Sequence, residues 1–469
     1  MRVGLITGNG KLGYSSVDYF FEEIERHFTA RGSEVQRFDL AGGVVPLAEA
    51  EPDVTLGIGT QLFFVGEQPM WDALKIPHVA WVIDSPVPMD ISQFRSPLLH
   101  YATIDRQHSD FLTSLGGDCT FIPLGTRTPE RDLDTAREYD VIFTGHVGAV
   151  EAVREKWREH GAEAHTLLEQ LLGPCLADLH TPLLTQIRRQ LANRGLFEPA
   201  DSAIVRTLYA ALNEYLRAYK RVAVLEAIQE SEVHIFGNCD EPSLRGKTNL
   251  QFHGPVPYQQ TFELFRHAKV AINISPNYYD GSHDRAVVPI SYGALSLTDD
   301  NRYLREHFGH QESMLFYRFD ALDAIDPLLK SVLAEPELMR GMAERAAATV
   351  AEQFTWEQRC GQLHALCDTL AEKHSAHRVA PVEAQAIDIL MDAAKSFRAG
   401  DASRGNVTVL KGFEKAAELL GSQSDPAFQE RFADALRRTV EAQSHGKLAE
   451  VADLLEGDVV PLLRTRLES

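Results

Sequence analysis

The strongest constraint on this chain is an alternation. Short apolar or alternating runs, RVGLITG, EVQRFDL, VTLGIG, HVAWVID, YATID and CTFIPLG, follow one another through the first 130 residues, with helical patterns such as SSVDYFFEEIERHFTARG between several of them. Strand, helix and strand at that spacing call for parallel pairing with right-handed crossovers. A second series, YDVIFTGH, SEVHIFGN, LQFHG, KVAINIS, ALSLT and SMLFYRF, repeats the plan. Between the series TRTPERDLDTAREYD is polar and contains proline, as a linker does.

The expected organisation is therefore α/β with two Rossmann-like domains. Residues 1–130 form the first and 131–376 the second, which carries a helical insertion over 150–230. Residues 377–469 follow as a helical extension, with no fixed-period repeat. At 469 residues the chain is long enough for cores of this number.

Composition narrows the function. A formal net charge of −21 disfavours nucleic acid and anionic membrane surfaces, both of which select basic patches. No apolar run approaches the roughly 20 residues of a membrane span. The opening MRVGLITGNG reads as a strand rather than a signal peptide, so the expected compartment is the cytoplasm. Cys119, Cys175, Cys239, Cys360 and Cys367 form no C-x-x-C pair and are expected to be buried small hydrophobes.

In open parallel sheets ligands bind at the carboxyl ends of the strands. The triplet His283, Asp284 and Arg285 lies at such a place, between KVAINIS and ALSLT. Proline lacks an N–H and favours the first helical position, so the following helix is expected to start near Pro289, with the triplet in the loop ahead of it. That loop would aim backbone N–H groups, a dipole and a guanidinium at the cleft. The plainer alternative is a surface ion pair between Asp284 and Arg285, with His283 capping a turn.

In their order, FGN, FHGPVPYQQTFELFRHAKVAINISP, DGSHDRAVVPISYGALSLTDD, YLREHF and FTWEQRC resemble the donor half of a GT-B-fold glycosyltransferase. More narrowly they are similar to the bacterial spore-maturation-type (CgeB-like) glycosyltransferases. WVIDSP and YLRAYKRVAVLEAI add to a resemblance covering roughly residues 75–370.

The resemblance implies two domains facing a cleft and a nucleoside-diphosphate-sugar donor, a UDP-sugar first, with no tightly bound cofactor or metal. It implies a donor site around Arg285 and Asp284, with His283 as a hydrogen-bond donor in catalysis. It also implies a base-stacking or main-chain contact from GPVPY at 254–258. Gly237, Asn238 and Gly254, at strand ends, allow close approach of a nucleotide or simply make turns. Many retaining members carry two glutamates eight positions apart; these fall on Asp280 and Val288. Asp299 and Asp300 are substitutes for holding hydroxyls, or else helix caps.

Competing signals remain. Gly8, Gly10 and Gly13 satisfy G-x-G-x-x-G after a strand, which suggests an NAD-dependent oxidoreductase, although Asp39 is poorly spaced as its ribose partner. The GT-B resemblance instead makes this an acceptor-side loop. The DLD at 132–134 lies in the linker and reads as solvated charge, and His307 with His310 lack a third metal ligand.

An inverting transfer needs a base from the first domain, and Asp84, closing HVAWVID, is the first candidate. His100, Asp105 and His108 are reserves. The expected activity is glycosyl transfer to a hydroxyl or amide of a protein or glycan, against an oxidoreductase or a non-catalytic scaffold of the same fold. In the extension Phe428, Phe432 and Leu436 form an apolar stripe, which packs internally or recruits an acceptor or a second copy of the chain.

Overall fold

The computed structural model describes residues 1–7, 16–59, 64–65, 68–89, 96–130, 136–379, 382–420 and 426–467. Contacts divide the chain into two units, Met1–Leu370 and Ala371–Ser469.

The first unit contains two six-stranded sheets, parallel throughout. Strands β1 (Arg2–Thr7), β2 (Glu34–Asp39) and β3 (Val54–Ile58) come first, and β4 (Phe64–Val65) pairs with β5 (Gln68–Pro69) in a separate short hairpin. After β6 (His78–Val82), β7 (Leu99–Thr103) and β8 (Asp118–Phe121) the sheet order is β2-β1-β3-β6-β7-β8. The second sheet is built from β9 (Tyr139–Thr144), β10 (Val233–Phe236), β11 (Leu250–Phe252), β12 (Ala268–Ile272), β13 (Leu295–Asp299) and β14 (Leu315–Tyr317). Its order, β11-β10-β9-β12-β13-β14, reverses direction between β9 and β12, the crevice where doubly wound sheets hold ligands.

The central strands are apolar on both faces because helices cover both, whereas the edge strand β2 is mostly exposed. All five residues of β3 and of β13 are buried. Helices from Val150 to Ala227 fill the connection between β9 and β10, ending in the 25-residue helix Ala203–Ala227. Ser202 starts that helix by accepting from the Val205 amide.

After the second sheet the chain returns to the first. Thr126 N–H donates to the Phe354 carbonyl at 2.8 Å and Trp356 N–H to the Thr126 carbonyl at 2.8 Å. The Trp356 ring then lies 5.3 Å from Phe20 and edge-on to Trp81 at 6.1 Å. The second unit has its own core, in which Leu390, Phe397, Phe432 and Leu455 are buried. Its helices Val382–Arg398, Ala402–Leu420 and Pro426–Ser444 are followed by Leu448–Leu454, a π turn and Val460–Leu467. Phe428 and Phe432 stack at 5.5 Å within this core, with Leu436 packed against it.

Two expectations need correcting. Cys119 and Cys239 are half-buried, because Cys119 lies on the edge strand β8 and Cys239 in the turn after β10; Cys175, Cys360 and Cys367 are buried. The helix expected at Pro289 begins at Asp284, because the His283 ring accepts from the Arg285 amide and starts the helix five residues earlier. Pro289 therefore lies inside the short helix Asp284–Ser291, where it leaves the Arg285 carbonyl without its usual intrahelical donor. The linker DLD at 132–134 and the loop carrying Gly8, Gly10 and Gly13 lie outside the described residues.

One buried group makes stability depend on pH. The His78 ring, at the start of β6, hydrogen-bonds to Thr55 Oγ1 at 2.9 Å and stacks on Trp71 at 5.3 Å. Burial pulls its pKa down from 6.5 to about 3. The unfolded chain thus binds a proton below pH 6.5 that the folded chain refuses, so stability is present above that pH and lost as pH falls toward 3. Chemical denaturation of wild type and His78→Gln between pH 6 and pH 4 should differ in slope by about 1.4 kcal/mol per pH unit. Parallel slopes would show that His78 is protonated in the fold.

Candidate active site

Four segments meet where the second sheet reverses: the end of β9, the end of β10, the helix Asp284–Ser291 and the middle of Ala203–Ala227. Arg285 Nη1 donates to the carbonyl of Thr144, the last residue of β9, at 2.8 Å. The other guanidinium nitrogens lie against the His283 ring, Nη2 at 3.3 Å from Nε2 and Nε at 3.4 Å from Nδ1. Asp284 Oδ1 forms a close contact with His283 Nδ1, and Oδ2 accepts from the Tyr258 hydroxyl at 2.6 Å.

Two further cations come from Ala203–Ala227. Arg221 Nη1 donates to the His146 carbonyl at 2.6 Å, and Arg217 lies close enough to depress the pKa of both Arg221 and Arg285. Burial is the first cause of those downward shifts, followed for Arg221 by its two arginine neighbours. For Arg285 the nearby Asp284 opposes the fall, and Arg217 adds to it. Among the described residues none of the three arginines forms an ion pair. Burial pushes the Asp284 carboxyl up, but His283, Arg285 and the Tyr258 hydroxyl outweigh it, and the group lies below the ordinary carboxylate range. Burial lowers the pKa of His283, so its ring is neutral at pH 7.

Beside them Lys220 is buried, and desolvation pulls its ammonium down to about 8 against the upward pull of Asp299. Its Nζ donates to Asn277 Oδ1 at 2.6 Å, and Asn277, at φ +62°, donates in turn to Asn213 Oδ1 at 2.8 Å. This chain fixes the turn leading to His283.

The remaining expected residues are placed as follows. Gly237 closes β10 so tightly that a Cβ there would lie 2.0 Å from the Gly145 carbonyl oxygen. Asn238 is exposed, its carbonyl accepting from the Val147 amide at 2.8 Å, and Gly254 turns the chain at φ +78°. Asp299 is buried, and its Oδ1 accepts from the Ser275 amide at 3.0 Å. Asp300 is held by Arg305 and Arg318, and the helix cap after β13 is Asn301 rather than either aspartate. Val288 is buried. The Asp280 carboxylate pairs with Arg106 and Arg302, and burial raises its pKa.

Across the crevice, Asp84 is exposed just after β6. The Tyr278 hydroxyl donates to the neighbouring Ile83 carbonyl at 2.6 Å. His108 is buried edge-on to Tyr278 at 5.8 Å, and among the described residues its Nδ1 has no hydrogen-bond partner. His100 Nε2 is bonded to Thr120 Oγ1 at 2.8 Å. Asp105 accepts backbone amides on both oxygens, from Gln107 on one and from Tyr279 and Asp280 on the other. Among the described residues no group of three His, Cys, Asp or Glu side chains is arranged to hold a metal ion.

A model of the glycosyl transferase-like family matches residues 188–365, which include every cation of this site. The chain thus has two six-stranded parallel sheets, with the cationic cluster at the crevice of the second. Among solved structures, the chain is similar to a sucrose-phosphate synthase from Thermosynechococcus elongatus, at 12% identity over 79% of this chain and 99% of that one, TM-score 0.47. Alr3699/HepE from Anabaena, solved with UDP and glucose, matches at 10% identity over 79% and 100%, TM-score 0.47. A glycosyltransferase from Rickettsia africae matches at 11% over 79% and 98%, TM-score 0.44. The curated proteins contain no significant sequence match.

Sequence reasoning reached Arg285 and missed Arg217, Lys220 and Arg221. Their signal was present in YLRAYKRVAVLEAI, where the cations stand at i, i+3 and i+4 on one face of an apolar helix. Gly237→Ala should force apart the ends of β9 and β10, costing about 1 to 3 kcal/mol, the range for overpacking. Thermal denaturation measures it, and an unchanged midpoint would mean that the close approach is not maintained.

Proposed function

We propose that the chain transfers a glycosyl group from a nucleoside-diphosphate sugar, a UDP-sugar in the first instance, to a hydroxyl or amide of a protein or glycan. The observation that carries this is the convergence of Arg217, Arg221 and Arg285, without an ion pair among the described residues, at the start of a helix and at the sheet's reversal point. Arg221 is buried and Arg217 and Arg285 are half-buried, and cations drawn out of water are costly unless an anion joins them. A diphosphate carries about two negative charges and accepts several charge-assisted hydrogen bonds at once.

In the reaction the bond from the sugar's anomeric carbon to the phosphate oxygen breaks, its electron pair staying on that oxygen. The arginines and the helix N-terminus stabilise the charge as it develops. The neutral His283 ring hydrogen-bonds within the same group. The acceptor oxygen or nitrogen forms the new bond to the anomeric carbon, and its proton passes to the carboxylate of Asp84. Direct displacement is favoured by the burial of Val288, which puts an apolar side chain where retaining relatives of the resemblance carry their second glutamate.

Calorimetry with UDP tests the phosphate grip. Arg285→Ala should weaken binding by about 1.5 to 3 kcal/mol, the loss for a charged hydrogen bond, and an unchanged dissociation constant would remove Arg285 from the site.

The base is tested separately. Asp84→Asn should lower turnover by roughly 10²-fold or more while UDP affinity holds. Turnover within a few-fold of wild type would place the base elsewhere.

A further inference from the structure

The turn that delivers His283 and Arg285 is not held by its own domain alone. Residues 280–282 run antiparallel to residues 104–106 of the first domain, as a bridge between Asp105 and Gly281. Asp105 Oδ2 accepts from the amides of Tyr279 at 2.8 Å and Asp280 at 3.0 Å. In return the Arg106 amide donates to the Asp280 carbonyl at 3.0 Å, and the Ser282 amide donates to the Ile104 carbonyl at 3.3 Å. Arg106 adds a side-chain bond to Asp280 at 3.2 Å, and its guanidinium lies between the rings of Phe121 and Tyr303.

The approach depends on Gly281. A Cβ there would lie 2.1 Å from the Ile104 carbonyl oxygen and 2.6 Å from Asp105 Cα, both backbone atoms. Asp105 itself is buried and uses its other oxygen to cap the next helix through the Gln107 amide at 2.8 Å. A carboxylate is needed for this double duty. The amide of an asparagine offers one accepting oxygen and would have to give up either the cap or the bridge.

We infer that Asp105 is a positioning residue for the anion site: through this bridge the first domain sets the backbone of residues 279–283, and with it the aim of His283 and Arg285. The phosphate grip is then strong only while the two domains are joined at Asp105 and Gly281. This rests on the donor-site reading above and adds to it a dependence of donor binding on a residue that touches no donor atom.

The experiment compares Asp105→Asn and Gly281→Ala with wild type in three readouts. Amide hydrogen exchange at Tyr279, Asp280 and Ser282 should accelerate at least tenfold in both variants. Calorimetry should show UDP affinity falling about tenfold while uridine affinity stays within a factor of two, because the disturbance reaches the phosphates and not the base. Thermal denaturation confirms that each variant is folded at the temperature used. A second substitution, Asp105→Glu, keeps both accepting oxygens and should recover part of the UDP affinity.

Faster exchange with an unchanged ratio of UDP to uridine affinity would overturn the inference, since the bridge would then be structural only. Equal losses for UDP and uridine would overturn it too, as general damage to the site. If wild type binds neither ligand, the donor-site reading fails on its own. The bridge is then judged by exchange alone, and unaltered exchange in both variants would reject it.

Discussion

The arrangement of this molecule turns on three arginines, Arg217, Arg221 and Arg285, brought together without an ion pair among the described residues. Arg285 spends one guanidinium nitrogen on the Thr144 carbonyl, and Arg221 spends one on the His146 carbonyl. Carbonyl oxygens carry partial charge and cannot repay the desolvation of a full cation. The cations lie where the order of the parallel sheet reverses between the paired strands β9 and β12, the place where doubly wound sheets hold ligands. The helix Asp284–Ser291 adds its positive end to the same place. A site this electropositive, in a chain of formal net charge −21, has its charge concentrated by position rather than by composition.

The strands were legible in the sequence because parallel sheets bury both faces, and runs such as KVAINIS and ALSLT have no polar alternation to confuse the reading. The start of the site helix was not legible. Pro289 is a strong local signal, but the hydrogen bond from the Arg285 amide to the His283 ring extends the helix upstream of it. Such a cap depends on the orientation of the His283 ring, which stacks on Tyr278 at 5.9 Å, and the residue types alone do not announce it. Arg217 and Arg221 were readable as a spacing, yet a cationic stripe on a helix ordinarily faces solvent. Only the fold shows Arg221 buried against β9.

Asp105 and Asp280 illustrate what sequence cannot provide. As isolated carboxylates after strands, each invites a catalytic or binding role. The structure gives Asp105 three backbone amides to satisfy and gives Asp280 two arginines. Two of the amides on Asp105, those of Tyr279 and Asp280, lie 174 and 175 residues away along the chain, and no local pattern announces them. Gly281 is the sole hint, and its meaning appears only when the Ile104 carbonyl is seen where a side chain would go.

Tyr278 joins the two halves of the proposed chemistry. Its hydroxyl is bonded to the carbonyl of Ile83, the residue before Asp84. Its ring stacks against His283 at 5.9 Å on one side and meets the edge of His108 at 5.8 Å on another. Burial raises its pKa well above the ordinary value, with Asp84 adding to the rise, so the hydroxyl keeps its proton and remains a donor. One rigid aromatic side chain thus spans the crevice from the backbone beside the proposed base to the ring beside the phosphate grip. In a displacement the attacking and leaving atoms must be held at a fixed separation. Flexible carboxylates and guanidinia cannot set that separation by themselves, whereas a buried tyrosine with two torsions and a single hydrogen-bond partner can.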